Sequence, residues 1–62
     1  MKRKIRKMTI QYINLIDEMR KLTDDMFTNG VSEYDDLDSE LENMDEHLYI
    51  CRKILEHCLI KY

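Results

Sequence analysis

The sequence lacks nearly all of the residues that interrupt regular secondary structure. Its 62 residues include one glycine, no proline and no tryptophan. These absences exclude a collagen-like chain and a proline-rich linker. Two cysteines are too few for a disulfide scaffold and are typical of a reducing compartment in which thiols stay free. No run approaches the ~18 apolar residues of a membrane span, and no small-residue cleavage site follows the basic start. We therefore expect a cytoplasmic protein with no membrane segment.

The chain also lacks the usual signs of an enzyme. Catalytic pockets typically measure about 300–1,000 Å³, which a chain this short can scarcely enclose alone. There is no glycine-rich phosphate loop, and no nucleophile is arranged with a base. His47 and Cys51 are four residues apart, but Cys58 is seven residues beyond Cys51, whereas a structural zinc site needs four convergent ligands. We predict no catalytic residue, no metal site and no cofactor.

Apolar residues recur at alternating spacings of three and four on both sides of Asn29-Gly30, the only strong break in the chain. The first series is Ile5, Met8, Tyr12, Leu15, Met19, Leu22 and Met26, and the second is Tyr34, Leu37, Leu41, Met44, Leu48, Cys51, Leu55, Cys58 and Tyr62. This spacing is typical of helices that pack like a coiled coil. It predicts an all-α antiparallel two-helix hairpin as a single domain over 1–62. Helix one should cover about 3–28, the turn 29–31 and helix two about 32–62.

The residues at the break indicate how the helices end and how they pair. Asn29 or Gly30 can take the left-handed conformation that terminates a helix, and Ser32 can cap the next one. A connection of about three residues makes the helices antiparallel neighbours. The two apolar series then form the seam between the helices, with paired residue numbers summing to 59 or 60. Leu15 should face Met44, and Leu22 should face Leu37.

A second apolar set lies off this seam. Its members are Ile10, Ile13, Ile16, Ile50, Ile54, Leu59 and Ile60. Because a two-helix hairpin leaves one side of its seam wet, we expect a further surface to cover it. The sequence predicts these seven residues as a partner-binding face. The partner is either a second copy, which completes a four-helix bundle, or a different protein.

Charge is distributed unevenly along the chain, whose net charge is −3. Residues 1–7 carry five positive charges and no negative ones, whereas residues 17–46 carry twelve acids against Arg20 and Lys21. A hairpin gathers acids at the turn into an acidic tip formed by Asp24, Asp25, Asp35, Asp36, Asp38 and Glu40. The open end is basic. Antiparallel association of two hairpins would set tips against basic ends, which favours association.

Three segments resemble a known family. Residues 16–22 (IDEMRKL), Gly30 and residues 38–42 (DSELE) resemble the small helical-hairpin phosphatases that control sporulation in bacilli. The resemblance implies a hairpin that removes phosphate from the aspartyl phosphate of a response regulator. The family signature is Ser-Gln-Glu-Leu-Asp, of which Glu40 and Leu41 match outright, while Glu42 stands for the final Asp. Asp38 and Ser39 replace the first two residues, so no catalytic residue is assigned.

The sequence predicts a non-enzymatic protein–protein interaction module, such as a regulator, adaptor or chaperone subunit. One alternative is the response-regulator phosphatase. Another is a dimeric nucleic-acid-binding hairpin that uses the basic residues 2–7, similar in architecture to hairpin regulators of plasmid copy number. The twelve acids that follow would repel a polyanion, which makes a nucleic-acid partner the weaker interpretation.

Overall fold

A computed structural model describes residues 1–62 and shows an all-α hairpin of two antiparallel helices. Helix α1 spans Arg3–Thr28, and helix α2 spans Asp35–Lys61. A single 3₁₀ turn, Val31–Glu33, lies between them. The molecule is a thin rod with extents of 45 × 15 × 12 Å. The predicted fold class is confirmed.

The connection between the helices is longer than the sequence predicted. Asn29 follows α1, and its backbone N–H and side-chain amide both donate to the carbonyl of Asp25. Gly30 takes the left-handed conformation with φ of 90°. Val31 is then buried under the turn. Helix α2 therefore begins at residue 35 rather than 32, and the predicted capping role of Ser32 is wrong, because this residue lies in the 3₁₀ turn.

The first turn of α2 is stabilised by charge rather than by a side-chain cap. Tyr34 occupies the capping position and its side chain makes no capping bond. Asp35, Asp36 and Asp38 fill the first turn, where the helix dipole favours negative charge. One carboxylate oxygen of Asp38 is buried without a hydrogen-bond partner. The acids of this turn thus stabilise the start of α2 and also belong to the acidic tip.

The longer connection shifts the register of the two helices. Arg20 pairs with Asp45 and Asp17 pairs with Arg52, so the numbers of paired residues sum to 65 and 69. The predicted sums of 59 and 60, which paired Leu15 with Met44, are wrong. Since the connection takes six residues instead of three, each position of α1 meets a position further along α2. The shift exceeds one helical turn.

The helices are also rotated relative to the predicted seam. The buried residues of α1 are Ile13, Ile16 and Thr23, of which Ile16 is 4% exposed. They follow the predicted seam residues by one position, which is a rotation of about 100° around a helix. Leu15, expected at the centre of the interface, is instead 55% exposed. The predicted seam is therefore wrong for α1.

On α2, half of the predicted seam stays in the interface. Leu41, Leu48 and Leu55 are half-buried, whereas Leu37, Met44 and Cys51 are exposed. Asp38, Asp45, Arg52 and Leu59 are half-buried as well, each three or four residues from one of these leucines. From Asp38 to Leu55 the contact between the helices therefore has charged and apolar positions in alternation.

The hairpin buries too little surface to count as a complete core. Only four of its 62 residues are buried. Its accessible surface is 5285 Å², compared with roughly 4,300 Å² expected from size scaling for a compact monomer of this mass. Most of the apolar surface that the sequence provides is still in contact with solvent.

Replacing Gly30 with Ala should destabilise the hairpin by about 1–2 kcal/mol, because a Cβ is disfavoured at positive φ. An L-alanine Cβ there meets no atom within 4 Å, so the loss comes from the backbone conformation alone. D-alanine prefers positive φ and should not destabilise. Urea denaturation at one fixed protein concentration measures both. Ser32→Ala is the matched control and should change stability by no more than about 0.5 kcal/mol. Equal losses for L- and D-alanine would contradict the left-handed turn.

Candidate protein-binding surface

One side of the hairpin carries a continuous apolar surface. At its centre is a groove of about 500 Å³ between the two helices. All eight lining residues are apolar: Tyr12, Leu15, Ile16, Met19, Leu48, Cys51, Ile54 and Leu55. We call this side the apolar flank. Ile16, Leu48 and Leu55 also belong to the helix–helix contact, so the groove is its open edge.

The apolar flank continues along the rod beyond the groove. Met8 and Leu22 follow the same helical spacing on α1, and Met44 follows it on α2. Leu22 is 62% exposed, and both methionines are also exposed. Methionine side chains adapt their shape to many contacts, which is why they are common on binding surfaces. The exposed stripe extends about one helical turn beyond the groove toward both ends of α1 and toward the start of α2.

The opposite side carries the ion pairs between the helices. Arg52 donates to both carboxylate oxygens of Asp17, at 2.6 and 3.3 Å. Arg20 donates to Asp45 at 3.0 Å and stacks over the ring of Tyr49 at 5.2 Å. We call this set, Asp17, Arg20, Asp45, Tyr49 and Arg52, the polar flank. Two-point pairing of Arg52 holds its planar group in one orientation.

Electrostatics on the polar flank favour the charged forms of these groups. The hydrogen bond from Arg52 lowers the pKa of Asp17; desolvation opposes this shift, and the positive charges of Arg52 and Arg20 add to it. The hydrogen bond to Asp45 raises the pKa of Arg20 further. Arg52 also pairs with Glu56 on its own helix. The polar flank therefore has its charges matched within the chain.

The seven residues predicted as a partner-binding face do not form one surface. Ile13 is buried in the helix–helix contact and does not line the groove, so its assignment to a partner-binding face is wrong, whereas Ile16 is buried at the edge of the groove. Ile54 lines the apolar groove together with Ile16. Ile10, Ile50 and Ile60 are exposed but do not line the groove, and Leu59 is half-buried. The exposed apolar surface consists mainly of the residues that the sequence placed in the seam.

The charged ends lie at opposite extremes of the rod. Asp24, Asp25, Asp35, Asp36 and Glu40 are exposed near the turn, and Asp38 is half-buried there. At the open end the amino group of Met1 donates to the carbonyl of Tyr62 at 3.0 Å, and Arg6 donates to that of Leu59 at 2.9 Å. No three or more His, Cys, Asp or Glu side chains converge on a point where a metal ion could bind.

The ion pairs of the polar flank were not predicted, although the spacing of the residues around Arg20 could have indicated a contact there. Thr9, Ile13, Ile16, Arg20, Thr23 and Phe27 repeat at spacings of four and three, one residue after the apolar series. The hydroxyl of Thr23 donates to the carbonyl of Met19 at 3.0 Å, which satisfies it in the contact. A mixed series of this kind, parallel to an apolar one, could have indicated a contact at the edge of the apolar stripe.

Comparison with known proteins finds no match: no protein-family model, no curated protein and no solved structure is similar to this chain. Neither helix combines the length and the hydropathy needed to cross a bilayer.

We expect the pKa of Asp17 to rise toward its ordinary value when Arg52 is replaced by Gln, because the hydrogen bond that lowers it is lost. Lys53→Gln is the control, since Lys53 does not pair with Asp17. Carboxyl NMR titration measures the pKa directly. The same Asp17 titration in all three proteins would contradict the pairing.

The sign of the effect on stability follows from the direction of this shift. A pKa that is lower in the folded state adds stability above the ordinary aspartate pKa of about 3.9, and this is lost as the pH falls through the folded pKa. The melting temperature of the native chain should therefore drop on acidification more than that of Asp17→Asn. An unchanged acid sensitivity in Asp17→Asn would show that other carboxylates account for it.

Proposed function

We propose that this chain is a non-enzymatic protein–protein interaction module that binds through its apolar flank. The observation that supports the proposal is the groove of about 500 Å³ with eight lining residues, all of them apolar. Large exposed apolar patches mark interaction sites in soluble proteins. Such a surface suits a regulator, an adaptor or a chaperone subunit. Both thiols are free, as is usual for proteins of the cytoplasm.

The shape of the groove favours a helical ligand. The groove runs between the two antiparallel helices. Its walls carry side chains at helical spacing on both sides, such as Leu15 on α1 and Cys51 on α2. An amphipathic helix that lies in such a groove inserts residues at similar spacing, as in other helix-in-groove complexes. The polar flank offers no comparable surface, because its charges already pair within the chain.

The groove is open, and its lining has no charged side chain and only two polar groups, the hydroxyl of Tyr12 and the thiol of Cys51, which supports binding rather than catalysis. General acid–base and nucleophilic catalysis both need titratable or nucleophilic groups beside the reacting atoms. The groove offers a single thiol, Cys51, without a histidine or an acid among its neighbours in the lining. Glu40, which carries the resemblance to the phosphatases, is exposed and outside the groove.

A photocrosslinking residue at position 15 should capture a bound protein, whereas the same residue at position 21 should not. Leu15 lines the apolar groove, and Lys21 is an exposed residue on the same helix that does not line it. The chain is expressed in its own cells, irradiated and analysed by mass spectrometry. Adducts specific to position 15 support the proposal, including adducts between two copies. Equal yields at the two positions, or none at either, would contradict it.

A further inference from the structure

We infer that the occupant of the apolar flank is a second copy of this chain, which lies antiparallel so that each acidic tip meets the basic open end of the other copy. The inference rests on the proposed function and names the partner of the same surface. The product is a four-helix bundle in which the apolar flanks of both copies form the shared core.

The face of the hairpin that carries the apolar flank is large enough for a stable interface. The face that contains both helices measures 45 by 15 Å, a projected area of roughly 700 Å²; a typical stable interface buries about 800 Å² per partner. The surface that the hairpin exposes beyond a compact monomer of its mass is of the same order, about 1,000 Å². A single added helix would cover only part of a face two helices wide. A second hairpin has the width and length to cover all of it.

Charge determines the relative direction of the two copies. Residues 2–7 carry five positive charges, and the acids of the tip lie at the far end of the rod. A parallel dimer would bring the two acidic tips together and also the two basic ends. An antiparallel dimer places each tip beside a basic end, which is attractive at both extremes. Charge complementarity therefore selects the antiparallel arrangement.

Two-fold symmetry then fixes which helices become neighbours. When two hairpins meet face to face and antiparallel, the axis crosses the rod at mid-length, and α1 lies along α1 of the other copy. In the same way α2 lies along α2. The level of the axis is near residues 15 and 16, the middle of α1. Arg20 with Asp45 and Arg6 with Leu59 both sum to 65, so this level corresponds to residues 49 and 50 of α2. Arg52 reaches Asp17 from about one helical turn further along α2.

The charges along the rod agree with this level. With the axis there, Arg6 and Lys7 of one copy lie at the level of Asp25 and Asp24 of the other, since they are equidistant from the middle of α1. On α2, Lys53 lies at the level of Glu46 by the same construction. Opposite charges thus coincide in level on both helix pairs.

The position of Cys51 makes the arrangement testable. Cys51 lines the groove and lies within two residues of the axis level, so the two copies of Cys51 approach each other. Cys58 is seven residues further along α2, and its two copies would be separated by about 25 Å along the rod. In a parallel dimer α2 would lie beside α1 of the other copy, and neither cysteine would meet its own counterpart.

The experiment combines mass measurement with cross-linking of single-cysteine variants. Cys58→Ser leaves only Cys51, and Cys51→Ser leaves only Cys58. Light scattering of the native chain and of both single-cysteine variants should give a mass of about 15 kDa, twice the chain mass of 7.6 kDa, which shows that serine at position 51 leaves the dimer intact. A short bismaleimide should link the Cys51-only variant on the order of 100-fold faster than the Cys58-only variant, because thiols held together react at about millimolar effective concentration. The thiol-free double variant Cys51→Ser, Cys58→Ser controls for lysine modification, and circular dichroism confirms that each variant remains helical.

Three results would overturn the inference. A helical monomer at tens of micromolar overturns the inference that the partner is a second copy. If the photocrosslinker at position 15 still captures a different protein, the proposed function survives. If it captures nothing, the inference and the proposed function both fail. A dimer in which the two variants cross-link at the same rate overturns the antiparallel direction. A dimer in which only the Cys58 variant cross-links overturns the placement of the axis.

Discussion

The two ion pairs on the polar flank constrain how the helices face each other. Asp17 with Arg52 and Arg20 with Asp45 connect the helices along one side of their contact. Exposed pairs of this kind contribute little to stability, but their short reach restricts rotation of each helix about its axis. With that side occupied by charge, both apolar stripes turn toward the other side. The apolar flank lies on the side of the contact away from these ion pairs.

Periodicity predicted the hairpin correctly but not the orientation of its faces. The spacing of three and four shows that a stripe exists and lies on one side of a helix. It does not show which edge of the stripe meets the neighbouring helix. Ile16 and Leu48 lie at that edge and are shared between the contact and the groove, whereas Leu15 lies one position away and faces solvent. An isolated pair of helices can bury only part of two wide stripes, so the choice depends on groups outside the stripe.

The connection between the helices was likewise predicted only in part. The break at Asn29-Gly30 was predicted, and Gly30 adopts the left-handed backbone that such a break requires. The 3₁₀ turn was not predicted, because Ser32 followed by acids has the pattern of a helix start. Burial of Val31 under the turn favours the longer connection. This single apolar residue moves the start of α2 by three positions and thereby shifts the register of every contact between the helices.

Helices α1 and α2 form before the chain can meet another molecule. Of the 54 backbone hydrogen bonds, 46 lie within the helices, so most of the ordering is local and independent of distant parts of the chain. Helices of this length form in about a microsecond, far faster than two molecules meet at micromolar concentration. A newly made chain therefore has both helices formed, with the apolar flank exposed, before it meets another molecule.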